Sequence, residues 1–171
     1  MKKAIIIFIL IISESVYVSA ETLLLCISDN NSVNSNTELS DWEKSVCHAF
    51  EDGVMNAAFD AGLIVTNSYI NECSKIAESN SGNKSDVASI MANKIGADFV
   101  VFLHIIFPEG NGSSELPEVL EYSLFDQAGH VLIDSISNKP DYGSIKGKSL
   151  MLDACSENGS RIASKILSKI P

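Results

Sequence analysis

Four cysteines and three histidines are the residues in this 171-residue sequence whose chemistry depends most on their neighbours. Cys26, Cys47, Cys73 and Cys155 are even in number, and four cysteines allow three pairings. Disulfides persist in oxidising compartments, so the pairing matters only if the chain is exported. Cys47 and Cys155 also fall on the apolar faces of predicted helices, where buried free thiols are the alternative. No C-x-x-C occurs, which leaves no thioredoxin-like redox site. No Cys/His cluster has the close spacing of a structural zinc site either. Among the histidines, His48 projects from the solvent face of a predicted helix, His104 lies inside an apolar strand, and His130 sits at a turn. A nucleophilic mechanism needs Ser or Cys with His and an orienting acid, converging in space. The sequence has those residue types but no G-x-S-x-G, no H-E-x-x-H and no Walker loop.

The remaining chemical motifs are equally bare. The segment from Gly110, GNGSSE, is glycine-rich, but Pro108 precedes it and no helix follows at once, so it reads as a loop. Carboxylates are spread along the chain rather than paired as in a glycosidase. No D-x-[DN]-x-[DN]-G calcium loop is present. The Asn-x-Ser triplets at Asn30, Asn83, Asn111 and Asn158 read as turn residues. No catalytic residue, cofactor or metal ligand set is therefore expected.

The chain's start assigns a compartment. Lys2 and Lys3 precede an unbroken apolar run, Ala4 to Ile12, and Val18-Ser19-Ala20 supplies the small residues of a cleavage site. Residues 1–20 are read as a secretory signal peptide cut between Ala20 and Glu21. The run is too short to span a bilayer, which needs about 20 apolar residues. A lipid anchor at Cys26 is not expected, because bulky Leu25 stands where lipidation signals want a small residue. With 12 Lys and Arg against 22 Asp and Glu, the net charge is -10. So acidic a chain has no basic footprint for nucleic acid and is repelled by anionic membrane surfaces. At 46% hydrophobic and 20% charged residues it has the composition of an ordinary globular protein.

The elements that position these residues follow from hydropathy patterning. Thr22 to Ser28 is a strand, and Asp29 to Glu38 a polar loop. Ser40 and Glu43 form a capping box that opens a long helix, with Trp42, Val46, Phe50, Val54 and Ala58 on one face and Gly62 at its end. Leu63 to Ile70 is a second strand, and a shorter helix from about Ser85 ends at Gly96. Asp98 to Phe107 is apolar enough to be a central strand covered on both faces. Val119 to Phe125 and Val131 to Ile136 form a hairpin with Gly129 in its turn. Leu150 to Ile170 is a final amphipathic helix, weakened by Gly159 near its middle. The order β-α-β-α-β-β-β-α predicts an α/β (α+β sandwich) fold, with a mixed sheet of about five strands and helices packed on it. Right-handed crossovers put the first three strands in parallel. Residues 21–171 are expected to form a single α/β domain.

Three segments carry a family resemblance: Gly62 followed by LIVTNSYI; Gly96, Ala97 and Asp98 followed by FVVFLHIIF; and LFDQAGHVLIDS from Leu124 to Ser135. In order and spacing the chain resembles the small periplasmic domain at the start of TolB, in CsgG-type secretion lipoproteins and in the lipoprotein activator of penicillin-binding proteins. That resemblance implies a non-enzymatic module that docks envelope proteins, and it brings no catalytic set. The chain departs from those proteins in having no lipobox, no propeller and no pore-forming insert. The expected function is thus an exported bacterial protein-interaction module for cell-envelope assembly or a secretion or cell-wall machine. Its partners are envelope proteins, met through the loops Asp29 to Glu38 and Glu109 to Glu118 or through an exposed edge strand. The alternative is an exported small-ligand-binding protein or hydrolase, with a site near Ser28, Ile70 and Phe107. Its mark would be a carboxylate within hydrogen-bond reach of His104.

Overall fold

A computed structural model describes residues 20–30, 39–69, 83–108, 116–144 and 147–171. Five strands and three helices alternate as expected: β1 (Thr22–Asp29), α1 (Asp41–Asp60), β2 (Ile64–Tyr69), α2 (Lys84–Ile95), β3 (Phe99–Ile106), β4 (Val119–Asp126), β5 (Val131–Asn138) and α3 (Lys148–Leu167). They build one sheet of order β2-β1-β3-β4-β5. β1 runs parallel to both β2 and β3, while β4 and β5 complete the sheet in antiparallel fashion. The result is a mixed α/β fold.

Local chemistry sets the helix ends. The Glu43 N–H donates to Ser40 Oγ (3.2 Å) and the Ser40 N–H to Glu43 Oε2 (2.7 Å), so the capping box is complete. Past the end of α1, Gly62 takes φ +91°, a value that only glycine adopts readily. α2 starts at Asn83, whose side chain accepts the Ser85 N–H at 3.2 Å, and ends at Gly96 in the left-handed conformation.

Side chains clasp β1 to β3 at both ends. At one end the Thr22 N–H donates to Asp98 Oδ2 (2.8 Å) and the Asp98 N–H to the Thr22 carbonyl (2.9 Å). At the other, the Asn30 amide acts as a peptide: Nδ2 donates to the Phe107 carbonyl and Oδ1 accepts the Phe107 N–H, both at 2.9 Å. The turn reading of Asn30 is replaced by that of a clasp.

The main core lies between the sheet and the α1/α3 layer, where Leu23, Leu25, Phe50, Val54, Val101, Leu103, Ile105, Leu120, Leu124, Ile162 and Ile166 are buried. A smaller cluster fills the opposite face, with Val87, Ala88, Met91 and Ala92 of α2 over Leu24, Cys26, Val100 and Phe125. β3 is therefore fully covered on one face only. On the other, Phe102, His104 and Ile106 are half-buried, because the 12 residues of α2 do not cover the whole sheet.

α3 corrects two readings. The sequence predicts a helix weakened at Gly159, yet α3 runs unbroken through it. A Cβ at Gly159 would collide with the Phe50 carbonyl, and one at Gly53 with the Ser156 carbonyl. The two glycines let α1 and α3 cross with their backbones touching, and Ser160 Oγ adds a hydrogen bond to the Gly53 carbonyl (3.0 Å). Asn158 is likewise no turn residue. It is buried within α3, where Nδ2 donates to the Ala154 and Asp141 carbonyls (both 2.8 Å) and Oδ1 accepts the Asp141 N–H (3.0 Å). Asn83 does end a loop, as a helix cap, and Asn111 lies outside the described residues.

Candidate functional site

Register fixes what stands side by side at the carboxyl ends of the parallel strands. Ser28 of β1 pairs with His104 of β3, His104 with Glu121 of β4, and Glu121 with Ser137 of β5. These four polar residues make a row across four strands, on the face that elsewhere carries Leu24, Val100 and Phe125. Ser28 Oγ lies 2.6 Å from His104 Nδ1, and Ser137 Oγ donates to Glu121 Oε1 at 2.9 Å. Burial holds the His104 imidazole below its ordinary pKa. The charges of Glu121 and Asp29 oppose that shift and Lys84 adds to it. His104 is thus a neutral, hydrogen-bonded histidine near pH 7.

This arrangement differs from a hydrolytic relay in one atom. In a Ser-His-acid set the acid takes Nδ1 and leaves Nε2 to the serine. Here the serine itself takes Nδ1, while Glu121 acts on the ring through its charge. Of the residues expected to line a cleft, Ser28 stands in this row, Phe107 is buried in the α1/α3 core on the opposite face, and Ile70 lies outside the described residues.

The cysteines separate. Cys26 is buried on the α2 side of β1, whereas Cys47 and Cys155 belong to the α1/α3 side. Cys73 lies outside the described residues. No disulfide joins Cys47 and Cys155, which are both free thiols. Burial pushes the Cys47 thiol up to about 12, with Asp29, Glu43, Glu51 and Cys155 adding to the shift. Burial likewise pushes Cys155 up to about 12. Thiols so reluctant to ionise are packing groups rather than nucleophiles. Among the described residues no three His, Cys, Asp or Glu side chains are grouped to hold a metal ion.

Sequence reasoning did not single out Glu51. It is a buried carboxylate of α1, accepting from the Asn67 side-chain amide of β2 and lying 3.1 Å from His48 Nδ1. The pairing ties α1 to β2, with His48 on the solvent side as expected. His130 is exposed in the β4–β5 turn, 2.8 Å from Asp126 Oδ2.

The two outer strands present the other chemically active surface. Ile64 opens β2 with its N–H donating to the Glu21 carbonyl at 2.9 Å, toward β1. Directions alternate along a strand, so Val65 and Asn67 point their N–H and C=O groups away from the sheet. β2 keeps a regular register with β1 over its whole length. β5 does not: its register with β4 shifts between Tyr122 and Leu124, so that Asp134 and Ser135 oppose Ser123. Asp134 Oδ1 takes the Ser135 N–H at 2.8 Å. A bulge and a carboxylate are the devices by which edge strands avoid pairing.

Comparison with known proteins gives likenesses of fold. A PelC dodecamer from Paraburkholderia phytofirmans is 13% identical and matches 85% of this chain and 86% of its own, with TM-score 0.43. A competence-damaged protein (CinA) superfamily protein from Klebsiella pneumoniae is 10% identical over 87% of this chain and 89% of its own, with TM-score 0.41. The LpoB C-terminal domain from Salmonella enterica is 20% identical over 76% of this chain and 90% of its own, with TM-score 0.35. No family model and no curated protein matches the sequence.

Proposed function

We propose that the chain is an exported bacterial protein-interaction module, non-enzymatic, that supports cell-envelope assembly or a secretion or cell-wall machine. Residues 1–20 act as its signal peptide and residues 21–171 as its working domain. The observation that carries this reading is the sheet margin formed, among the described residues, by β2. β2 is an outermost strand whose Val65 and Asn67 backbone groups face away from β1, the arrangement that strand addition by a partner uses. No helix among the described residues is long and apolar enough to cross a membrane. The loops first expected to bind, Asp29 to Glu38 and Glu109 to Glu118, fall largely outside the described residues.

The alternative of a hydrolase or small-ligand binder would be favoured by a carboxylate hydrogen-bonded to His104. Among the described residues the partner of His104 Nδ1 is Ser28 instead, and Glu121 is held by Ser137. That favours docking over turnover. The decisive experiment is in-cell crosslinking of the tagged full chain, with mass-spectrometric identification of what is attached and of the bait's own N-terminus. Capture of secretion, cell-wall or motility components by a bait starting at Glu21 is the expected result. A processed bait recovered alone refutes the docking reading.

A further inference from the structure

Docking by strand addition leaves open which margin is used and what it takes. We infer that β2 is the docking strand and that its occupant is an extended, basic segment of an envelope protein; this rests on the docking reading above. The two margins are chemically unequal. The register of β5 with β4 shifts twice, once where Asp134 and Ser135 oppose Ser123 and again between Ile133 and Val131, which leaves Ile136 to Asn138 as its regular stretch. β2 has no bulge, proline or lysine along Ile64–Tyr69.

Charge selects the occupant. The helix beside β2 is α1, joined to it by the Glu51–Asn67 bond and by the Leu63 N–H to the Ala58 carbonyl (3.2 Å). α1 holds Asp41, Glu43, Glu51, Asp52 and Asp60 against Lys44 alone. Glu21, exposed where β1 begins, adds another carboxylate at the first rung of β2. The helix that reaches β5 is α3, through Lys165 Nζ and Asn138 Oδ1 at 3.2 Å, and it balances Lys148, Arg161 and Lys165 against Asp153 and Glu157. An incoming strand at β2 is therefore flanked by a strongly acidic helix, whereas the helix that reaches β5 is balanced in charge, and lysine or arginine on that strand would answer the acidic side. Apolar anchorage is available at the same end, since Ile64 is 54% exposed and Phe59, just before the Gly62 turn, is 72% exposed.

The test places a photo-crosslinking benzoylphenylalanine at Thr66, Ser68, Asp134 or Ile136 of the tagged full chain in its native host. Thr66 and Ser68 are expected to yield adducts with one partner peptide, at positions two residues apart, in a segment rich in Lys and Arg. Adducts that weaken as salt is raised fit the charge argument. Val65→Pro removes an outward N–H without touching the β1 ladder, and should cut the Thr66 adduct about tenfold. Val65→Ala loses the same side-chain packing but keeps the N–H, and should leave the adduct unchanged. Adducts from β5 positions alone, an acidic partner segment, or equal losses in the Pro and Ala variants overturn the assignment to β2 while the docking reading stands. No adduct at any of the four positions, with formaldehyde still capturing a partner, overturns it too. Failure of both chemistries to capture anything overturns the docking reading itself.

Discussion

Replacing Gly159 by alanine separates two physical accounts of the same residue. By helix propensity alone, alanine in place of a mid-helix glycine stabilises by about 1 kcal/mol. In the fold, the added Cβ would meet the Phe50 carbonyl of α1, with the Val54 nitrogen 3.2 Å away. Both are backbone atoms, so no rotamer change relieves the collision and the helices must move apart. Separation would loosen Phe50, Val54, Cys155 and Ile162, all fully buried beside the crossing. Overpacking of this kind costs about 1–3 kcal/mol, and a rigid obstacle puts it at the upper end. Set against the propensity gain, a net loss of about 2 kcal/mol is expected. For a chain of this size that lowers Tm by roughly 4–8 °C. Thermal and urea unfolding followed by circular dichroism would measure it, with an unchanged urea slope showing that the unfolded state is not the cause. A variant more stable than the parent would refute the close crossing. Gly53→Ala should act in the same direction, and the double variant should cost less than the sum because one displacement relieves both contacts.

Ser40→Ala removes the side-chain half of the capping box and should cost about 1 kcal/mol in the same unfolding assay; a neutral result would show that the cap does not matter to α1. His104 gives a pH signature. Its folded pKa lies below the ordinary 6.5, so the unfolded state binds more protons in between, and stability from this group is complete above 6.5 and lost as pH falls below it. His104→Asn, whose amide oxygen can still accept from Ser28, should flatten Tm against pH over that interval, and an unchanged slope would assign the acid sensitivity elsewhere. Cys47 and Cys155 should resist iodoacetamide at pH 8 in the folded protein and react after denaturation, since thiols held at about 12 are less than about one part in a thousand ionised there. Fast native alkylation at either position would show that its burial is not maintained.

What the sequence revealed and what it hid divide along the range of the interactions. The capping box at Ser40, the left-handed glycines at Gly62 and Gly96, the apolar run of β3 and the Gly129 hairpin are local signals, each written within a few residues, and each stands in the fold. Gly159 and Asn158 were misread because their reasons are 107 or so residues away or across a loop: the bond from Ser160 to Gly53 spans 107 positions. A glycine that weakens an isolated helix and a glycine that admits a second helix look the same from inside α3. The polar row was legible only in part. His104 draws notice as a lone histidine in an apolar strand, but its alignment with Ser28, Glu121 and Ser137 depends on register, which no residue in those strands announces alone. The Glu51–Asn67 bond was hidden for the same reason.

The Asn30 clasp has a mechanical meaning. A partner bound to chain beyond residue 30 or beyond Phe107 would exert its pull at the open end of the β1–β3 pair, where parallel strands are loaded like a zipper and bonds give way singly. With its amide bonded to both the N–H and the carbonyl of Phe107, Asn30 doubles the first tooth of that zipper. Force has to break two bonds together before it reaches the backbone ladder. The clasp thus raises the force at which separation of the two central strands can begin from this end.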